Sequence, residues 1–178
     1  MWTSFVGFMG SGKTTVADAL QAASGRPVVH IDEAVVARAG RSVAAIFEHE
    51  GEAAFREREL QELASLDPAR NLVVDTGGGI VQTPAAVDLL RERGVVIWLD
   101  APWETIRARL KAGPSGERPL VDRLGWAGLE ELFRGRRRLY AAAADFRLPA
   151  TAAEPALLAR TAMLRSLVWS RRPPEQRR

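Results

Sequence analysis

Gly7-Phe8-Met9-Gly10-Ser11-Gly12-Lys13-Thr14 is the stretch from which the rest of this 178-residue chain is read. Before it runs Trp2-Thr3-Ser4-Phe5-Val6, short, apolar and β-prone, and after it Thr14, Val16, Ala17 and Leu20 are spaced as one face of a helix. Strand, glycine-rich loop and helix together make G-x-x-x-x-G-K-[ST] a phosphate cradle. The glycines let the backbone curl so that successive N–H groups point at an anion. The positive end of the helix dipole falls at the same place. In this setting Lys13 reaches the β- and γ-phosphates and the Thr14 hydroxyl ligates Mg²⁺. Gly10, Ser11, Gly12 and Thr15 complete the expected nucleotide contacts. An ordinary Gly/Ser-rich turn is the bland alternative, and the flanks argue against it. The stretch reads as a nucleoside-triphosphate site.

Composition bounds what can surround it. The length suits one domain with a real core, and 47% apolar with 26% charged residues is the balance of a soluble globular protein. No apolar run approaches a membrane span, and residues 1–8 lack the basic start of a secretory signal. The absence of cysteine excludes a disulfide framework and thiolate chemistry. A cytoplasmic location without a membrane partner is the resulting expectation. The net charge of +3 is a property of residues 171–178, where Arg171, Arg172, Arg177 and Arg178 stand against Glu175. The body is therefore formally neutral, which gives no ground for a nucleic-acid surface. Residues 1–170 read as a single domain, and 171–178, with Pro173-Pro174, as a disordered basic tail.

Along the domain, strands alternate with helices, as in a parallel sheet covered on both faces. Val28 to Asp32 reads as a short strand with Asp32 at its carboxyl end, where ligands of open α/β sheets gather. A helix over 33–39 ends at Gly40, a short one follows Ser42, and Gly51-Glu52 breaks it before a helix over 53–66. Leu72-Val73-Val74-Asp75 is a buried-type strand followed by Thr76-Gly77-Gly78-Gly79, a backbone suited to approach a ligand closely. A helix from Pro84, a strand over 95–100, a helix from Pro102, a long basic helix over 128–144, a strand over 145–148 and a helix over 154–168 complete the pattern.

Several of these pieces together resemble the shikimate kinases: the loop at 7–14; Asp32; Gly40-Arg41-Ser42-Val43 with Ile46-Phe47; Gly51-Glu52-Ala53-Ala54-Phe55-Arg56-Glu57-Arg58-Glu59; Gly77-Gly78-Gly79; Arg118-Pro119-Leu120; and Arg136 ahead of Leu139-Tyr140. They follow one another with family spacing over about residues 3–155. The resemblance implies a three-layer α/β/α P-loop kinase fold whose five-stranded parallel sheet has the order 2-3-1-4-5. It also implies a substrate segment over about 32–62 and a mobile lid over about 112–124. The implied reaction is Mg²⁺-dependent transfer of the ATP γ-phosphate to the 3-hydroxyl of shikimate, in aromatic amino acid biosynthesis, by a monomer. Arg56 and Arg136 match the arginines that hold the substrate carboxylate, for which a guanidinium fork is suited. Gly77, Gly78 and Gly79 match the turn beside that substrate. Asp32 matches the carboxylate that binds its hydroxyls and accepts the proton of the attacking one. Arg118 matches the lid arginine at the phosphates, Arg109 an arginine near the adenine, and Pro155 a further adenine contact.

The chain departs from the family at one place. His30-Ile31-Asp32 stands where Asp-x-Asp is usual, and the missing first aspartate is the one associated with Mg²⁺. Imidazole is a poor ligand for a cation that prefers oxygen. Either activity is impaired or changed, toward a modified shikimate or another hydroxy acid, or a second carboxylate has taken over. Asp75 is the candidate, since it ends the strand where other P-loop enzymes carry a Mg²⁺-binding aspartate.

Overall fold

A computed structural model describes residues 1–112, 119–151 and 154–177. Strand β1 (Trp2–Val6) has every residue buried and lies in the middle of its sheet, and β4 (Gly94–Asp100) is buried along its whole length. Strands covered by helices on both faces read as continuous apolar runs, without alternation. With β2 (Val28–His30), β3 (Val73–Asp75) and β5 (Phe146–Pro149) they form a five-stranded, all-parallel sheet in the order β2-β3-β1-β4-β5, as expected. Of the two polar side chains of β1, Ser4 Oγ is buried without a hydrogen-bond partner, while Thr3 is satisfied in the interior. Thr3 Oγ1 lies 2.6 Å from Ser166 Oγ and accepts from Arg26 Nη1 at 2.8 Å.

Eight helices connect and cover the strands among the described residues: α1 (Lys13–Ser24), α2 (Ile31–Ala39), α3 (Val43–His49), α4 (Gly51–Ser65), α5 (Pro84–Arg93), α6 (Trp103–Ala112), α7 (Pro119–Ala143) and α8 (Pro155–Ser170). Parallel pairing sends the carboxyl ends of all strands to one edge of the sheet. The register there aligns Phe5 with Asp75 and Asp75 with His30. The loop after β1, the glycine turn after β3 and the first turn of α2 thus converge, as open α/β sheets require of a ligand site.

Besides shifts of one or two residues elsewhere, as at α4, which takes in Gly51 and Glu52, three boundaries differ from the expectation. Asp32 does not end β2 but sits in the first turn of α2. His30 takes the N-cap position, and Asp32 with Glu33 meets the positive end of the helix dipole. The long helix α7 starts at Pro119, well before Gly128, with a kink at Gly125 (φ 63°, ψ 179°) that joins two helical pieces. Its first turns take up residues 119–124 of the expected lid, while residues 113–118 lie outside the described residues. Residues 171–177, expected to be disordered, carry a 3₁₀ turn at Pro174–Gln176. Arg177 donates there to the carbonyls of Arg172 at 2.7 Å and Ser170 at 2.8 Å, and its guanidinium lies 5.3 Å from the Trp169 ring centroid.

The β1–β4 contact leaves no room for a side chain at Gly94, which pairs with Trp2. A Cβ there would lie 2.7 Å from Trp2 N and 2.8 Å from Trp2 C. Because the obstacle is backbone of the central strand, Gly94→Ala is expected to destabilise the fold by about 1–3 kcal/mol, the usual range for overpacking. Urea unfolding of the two proteins measures it, and equal midpoints would contradict the packing described.

Candidate active site

The loop at 7–12 turns into α1 through Gly12, whose φ of 97° suits glycine at this N-cap position. No side chain caps α1, so its first amides remain for a ligand. Lys13, 8% exposed, donates to the carbonyls of Gly7 at 3.0 Å and Phe8 at 3.2 Å. Burial pushes its pKa down, while Asp75, Asp32 and Glu59 oppose the shift. The Ser11 hydroxyl oxygen is buried without a partner. Arg109 of α6 donates to Ser11 O at 2.9 Å and Thr151 O at 3.1 Å, stapling the loop to the segment after β5. Thr15 and Pro155 are exposed near the starts of α1 and α8.

Below the loop runs a chain of polar side chains. Thr14 Oγ1 donates to Asp75 Oδ2 at 2.7 Å, His30 Nδ1 lies 3.0 Å from the same oxygen, and His30 Nε2 lies 3.2 Å from Asp18 Oδ1. Burial works against charge on His30, but Asp75, with Glu33 and Asp18, outweighs it and raises the imidazole pKa. Asp75 Oδ1 is buried and unpartnered. Among the described residues no group of three or more His, Cys, Asp or Glu is placed to hold a metal ion. A hydroxyl oxygen beside a carboxylate with one free oxygen nevertheless fits Mg²⁺, which takes one or two protein oxygens and fills its octahedron with phosphate and water.

A second cleft adjoins the first, and Met9, Asp32 and Gly78 line both. Two arginines from different helices line it. Arg56 of α4 donates to Glu59 and, at 2.9 Å, to Glu52 Oε1. Arg136 of α7, 4% exposed, donates to Glu52 Oε1 and to Gly78 O, both at 3.5 Å. Both guanidinium groups keep a buried, unpartnered Nε. Val43, Phe47, Phe55 and Leu120 supply apolar walls. The glycine turn is steric: a Cβ on Gly79 would collide with the Arg56 guanidinium, and one on Gly77 with the Glu59 and Asp32 carboxyls. Burial raises the pKa of Asp32, with Lys13 opposing and Asp75 reinforcing. Burial also pushes Glu59, which is fully buried, up to about 7 despite its pairing with Arg56.

Of the residues expected from sequence, Gly10, Lys13, Thr14, Asp32, Asp75, Arg56, Gly77–Gly79 and Arg136 line these two adjoining clefts. Arg109 binds the loop that carries the cradle, and Arg118 lies outside the described residues. Sequence reasoning missed Asp18, which meets His30 only through the packing of α1 beside β2. It also gave no role to Glu52 and Glu59, although both stand in the segment that carries Arg56. The tertiary register separates Arg136 from its neighbour: Arg137 instead pairs bidentately with the buried Asp100, at 2.6 and 2.9 Å.

A family model described as shikimate kinase matches residues 9–166. The shikimate kinase of Symbiobacterium thermophilum is 45% identical over 146 residues, covering 80% of this chain and 83% of that protein. The shikimate kinase of Persephonella marina is 38% identical over 84% of this chain and 89% of its own length. Among solved structures, shikimate kinase from Acinetobacter baumannii in complex with shikimate superposes with a TM-score of 0.85 at 30% identity, over 96% of this chain and 94% of that one. Shikimate kinase from Aquifex aeolicus gives 0.75 at 32% identity, over 93% and 95%.

The buried Glu59 sets a sign for the pH dependence of stability. Its folded pKa of about 7 lies above the ordinary 4.5, so the contribution is full below pH 4.5 and is lost as pH rises through about 7. Melting curves of wild type and Glu59→Gln between pH 5 and 8 check this. The wild type is expected to lose more melting temperature over that interval than the variant, and parallel curves would contradict it.

Proposed function

Because the chain belongs to the shikimate kinase family, we propose that it transfers the γ-phosphoryl group of ATP to the 3-hydroxyl of shikimate. The observation that carries this reading is the pair of arginines, Arg56 and Arg136, with buried, unpartnered Nε donors, lining a cleft that shares Met9, Asp32 and Gly78 with the cleft of the phosphate loop. Two guanidinium groups in one pocket with apolar walls suit a planar carboxylate. The ring of such a substrate lies between Phe47, Phe55 and Leu120, and its hydroxyl end reaches toward Asp32.

The chain's own residues then supply positioning and charge, which carry most of the catalysis in phosphoryl transfer. The amides of the loop and of the first turn of α1 hold the phosphates, and Lys13 turns from the Gly7 and Phe8 carbonyls to the β- and γ-oxygens. Asp32 orients the acceptor hydroxyl and takes its proton as the oxygen–phosphorus bond forms and the bond to the ADP oxygen breaks. A pKa above the ordinary carboxylate value makes Asp32 a better proton acceptor than a solvated aspartate. Thr14 and Asp75 would hold Mg²⁺, which when bound neutralises phosphate charge. Arg118 keeps its proposed role at the phosphates, and Arg109 with Pro155 that of bordering the adenine. The same reading takes the enzyme to be a cytoplasmic monomer without nucleic-acid or membrane partners. It is supported by the neutral body of the chain and by the absence, among the described residues, of a helix long and apolar enough to cross a membrane.

A coupled assay of ADP release with ATP, Mg²⁺ and shikimate tests the activity, and its absence in folded protein would refute the reading. Lys13→Ala is expected to lower kcat by about 10²–10³, the scale of removing one preorganised donor from a transition state, with an unchanged far-UV spectrum. Asp75→Ala is expected to shift the Mg²⁺ concentration for half-maximal rate upward by at least about tenfold. An unaltered Mg²⁺ titration would remove Asp75 from the metal's surroundings.

A further inference from the structure

Glu52 is not among the residues that line the arginine cleft, yet it touches both of its arginines and the turn after its glycines. Its Oε1 accepts from Arg56 Nη2 at 2.9 Å, from Gln82 Nε2 at 3.1 Å and from Arg136 Nη2 at 3.5 Å, and its Oε2 lies 3.9 Å from Arg123 Nη2. These partners belong to α4 itself, to the 3₁₀ turn Ile80–Gln82 that follows the glycines, and to α7. One carboxylate oxygen thereby bridges two mostly buried cations of like charge.

We propose that Glu52 is a positioning residue, a permanent counter-charge that holds the guanidinium groups of Arg56 and Arg136 together as a two-pronged clamp for the substrate carboxylate. The proposal rests on the reading of this cleft as the shikimate site. Two guanidinium groups brought together away from water repel each other unless an anion lies between them. Glu59 pairs with Arg56 from within α4, but with its pKa raised to about 7 it is only partly charged at neutral pH, and it has no hydrogen bond to Arg136 among the described residues. For Arg136 the remaining polar contacts are the Gly78 carbonyl at 3.5 Å and the neighbouring Tyr140 hydroxyl. Glu52 supplies the carboxylate hydrogen-bonded to both. It takes one Nη of each arginine and leaves the two buried Nε groups without partners. The glutamate carboxyl lies below its ordinary pKa: burial opposes ionisation, but Arg56, Gln82 and Arg136 overcome it, so the counter-charge is present at neutral pH. Gln82 and Arg123 extend the same contact to the glycine turn and to the first half of α7.

Steady-state kinetics of Glu52→Ala and Glu52→Gln, each with shikimate and with ATP as the varied substrate, test this. Glu52→Ala is expected to raise the KM for shikimate by about tenfold or more, the scale of losing a charge-assisted bond that orients a binding group. The kcat stays within about threefold and the KM for ATP is unchanged. Glu52→Gln keeps an acceptor oxygen without the charge and is expected to fall between wild type and Glu52→Ala. If the alanine variant does not fold, as judged by its melting curve, the glutamine variant carries the test alone. A KM for shikimate at or below the wild-type value, or a fall in kcat with KM unchanged, overturns the proposal. Arg136→Ala is measured alongside: if its KM for shikimate is normal, the assignment of the cleft itself fails. If only the Glu52 variants are unaffected, the assignment stands and the positioning role falls.

Discussion

The cleft depends on keeping two arginines out of water in a pocket with apolar walls. Arg56 has a side chain 12% exposed and Arg136 one 5% exposed, and neither is stable there without counter-charge and hydrogen-bonding partners. Glu59, at 0% exposure, answers Arg56, and Glu52 stands between the two. The same demand explains the glycine turn. The Arg56 guanidinium lies where a side chain on residue 79 would stand, and the Glu59 and Asp32 carboxyls where one on residue 77 would stand. The arginines also rest on aromatic faces, Arg56 5.4 Å from the Phe55 centroid and Arg136 6.0 Å from that of Phe8, contacts that favour cations in partial burial.

The phosphate side follows a different rule, with backbone as its main instrument. The loop presents amides and a helix terminus to an anion, and its side chains serve to set local charge. His30 illustrates how charge is arranged here. It approaches a carboxylate with each ring nitrogen, Asp75 on one side and Asp18 on the other. Asp75 then stands between His30 and the Thr14 hydroxyl. A carboxylate on β3 thus lies beside the β2 position that His30 occupies. The parallel register of β2 and β3, which aligns His30 with Asp75, is what brings the two side chains together.

Much of this was legible in the linear order of residues. The phosphate loop is a contiguous motif whose glycines, lysine and threonine act within one turn, so its reading needs no distant partner. Arg56 and Gly77–Gly79 were legible through their segments' likeness to a family. Asp32 was expected at the end of β2 but lies in the first turn of α2, because the helix begins two residues earlier than the apolar pattern suggested. Arg136 was legible only as one of several arginines in a row. Its distinction from Arg137 is made by which side of α7 meets the cleft and which meets Asp100.

By itself the sequence determined the alternation of strands and helices, the parallel sheet and the position of the anion cradle, since each is dictated by local periodicity and by turns that only glycine accommodates. Tertiary structure alone decided the partners of the charged groups. Asp18 reaches His30, and Glu52 reaches Arg136, across separations of 12 and 84 residues. The reason is physical: a backbone motif carries its geometry within a few residues, whereas a buried charge is defined by whichever opposite charge the fold brings within about 4 Å of it.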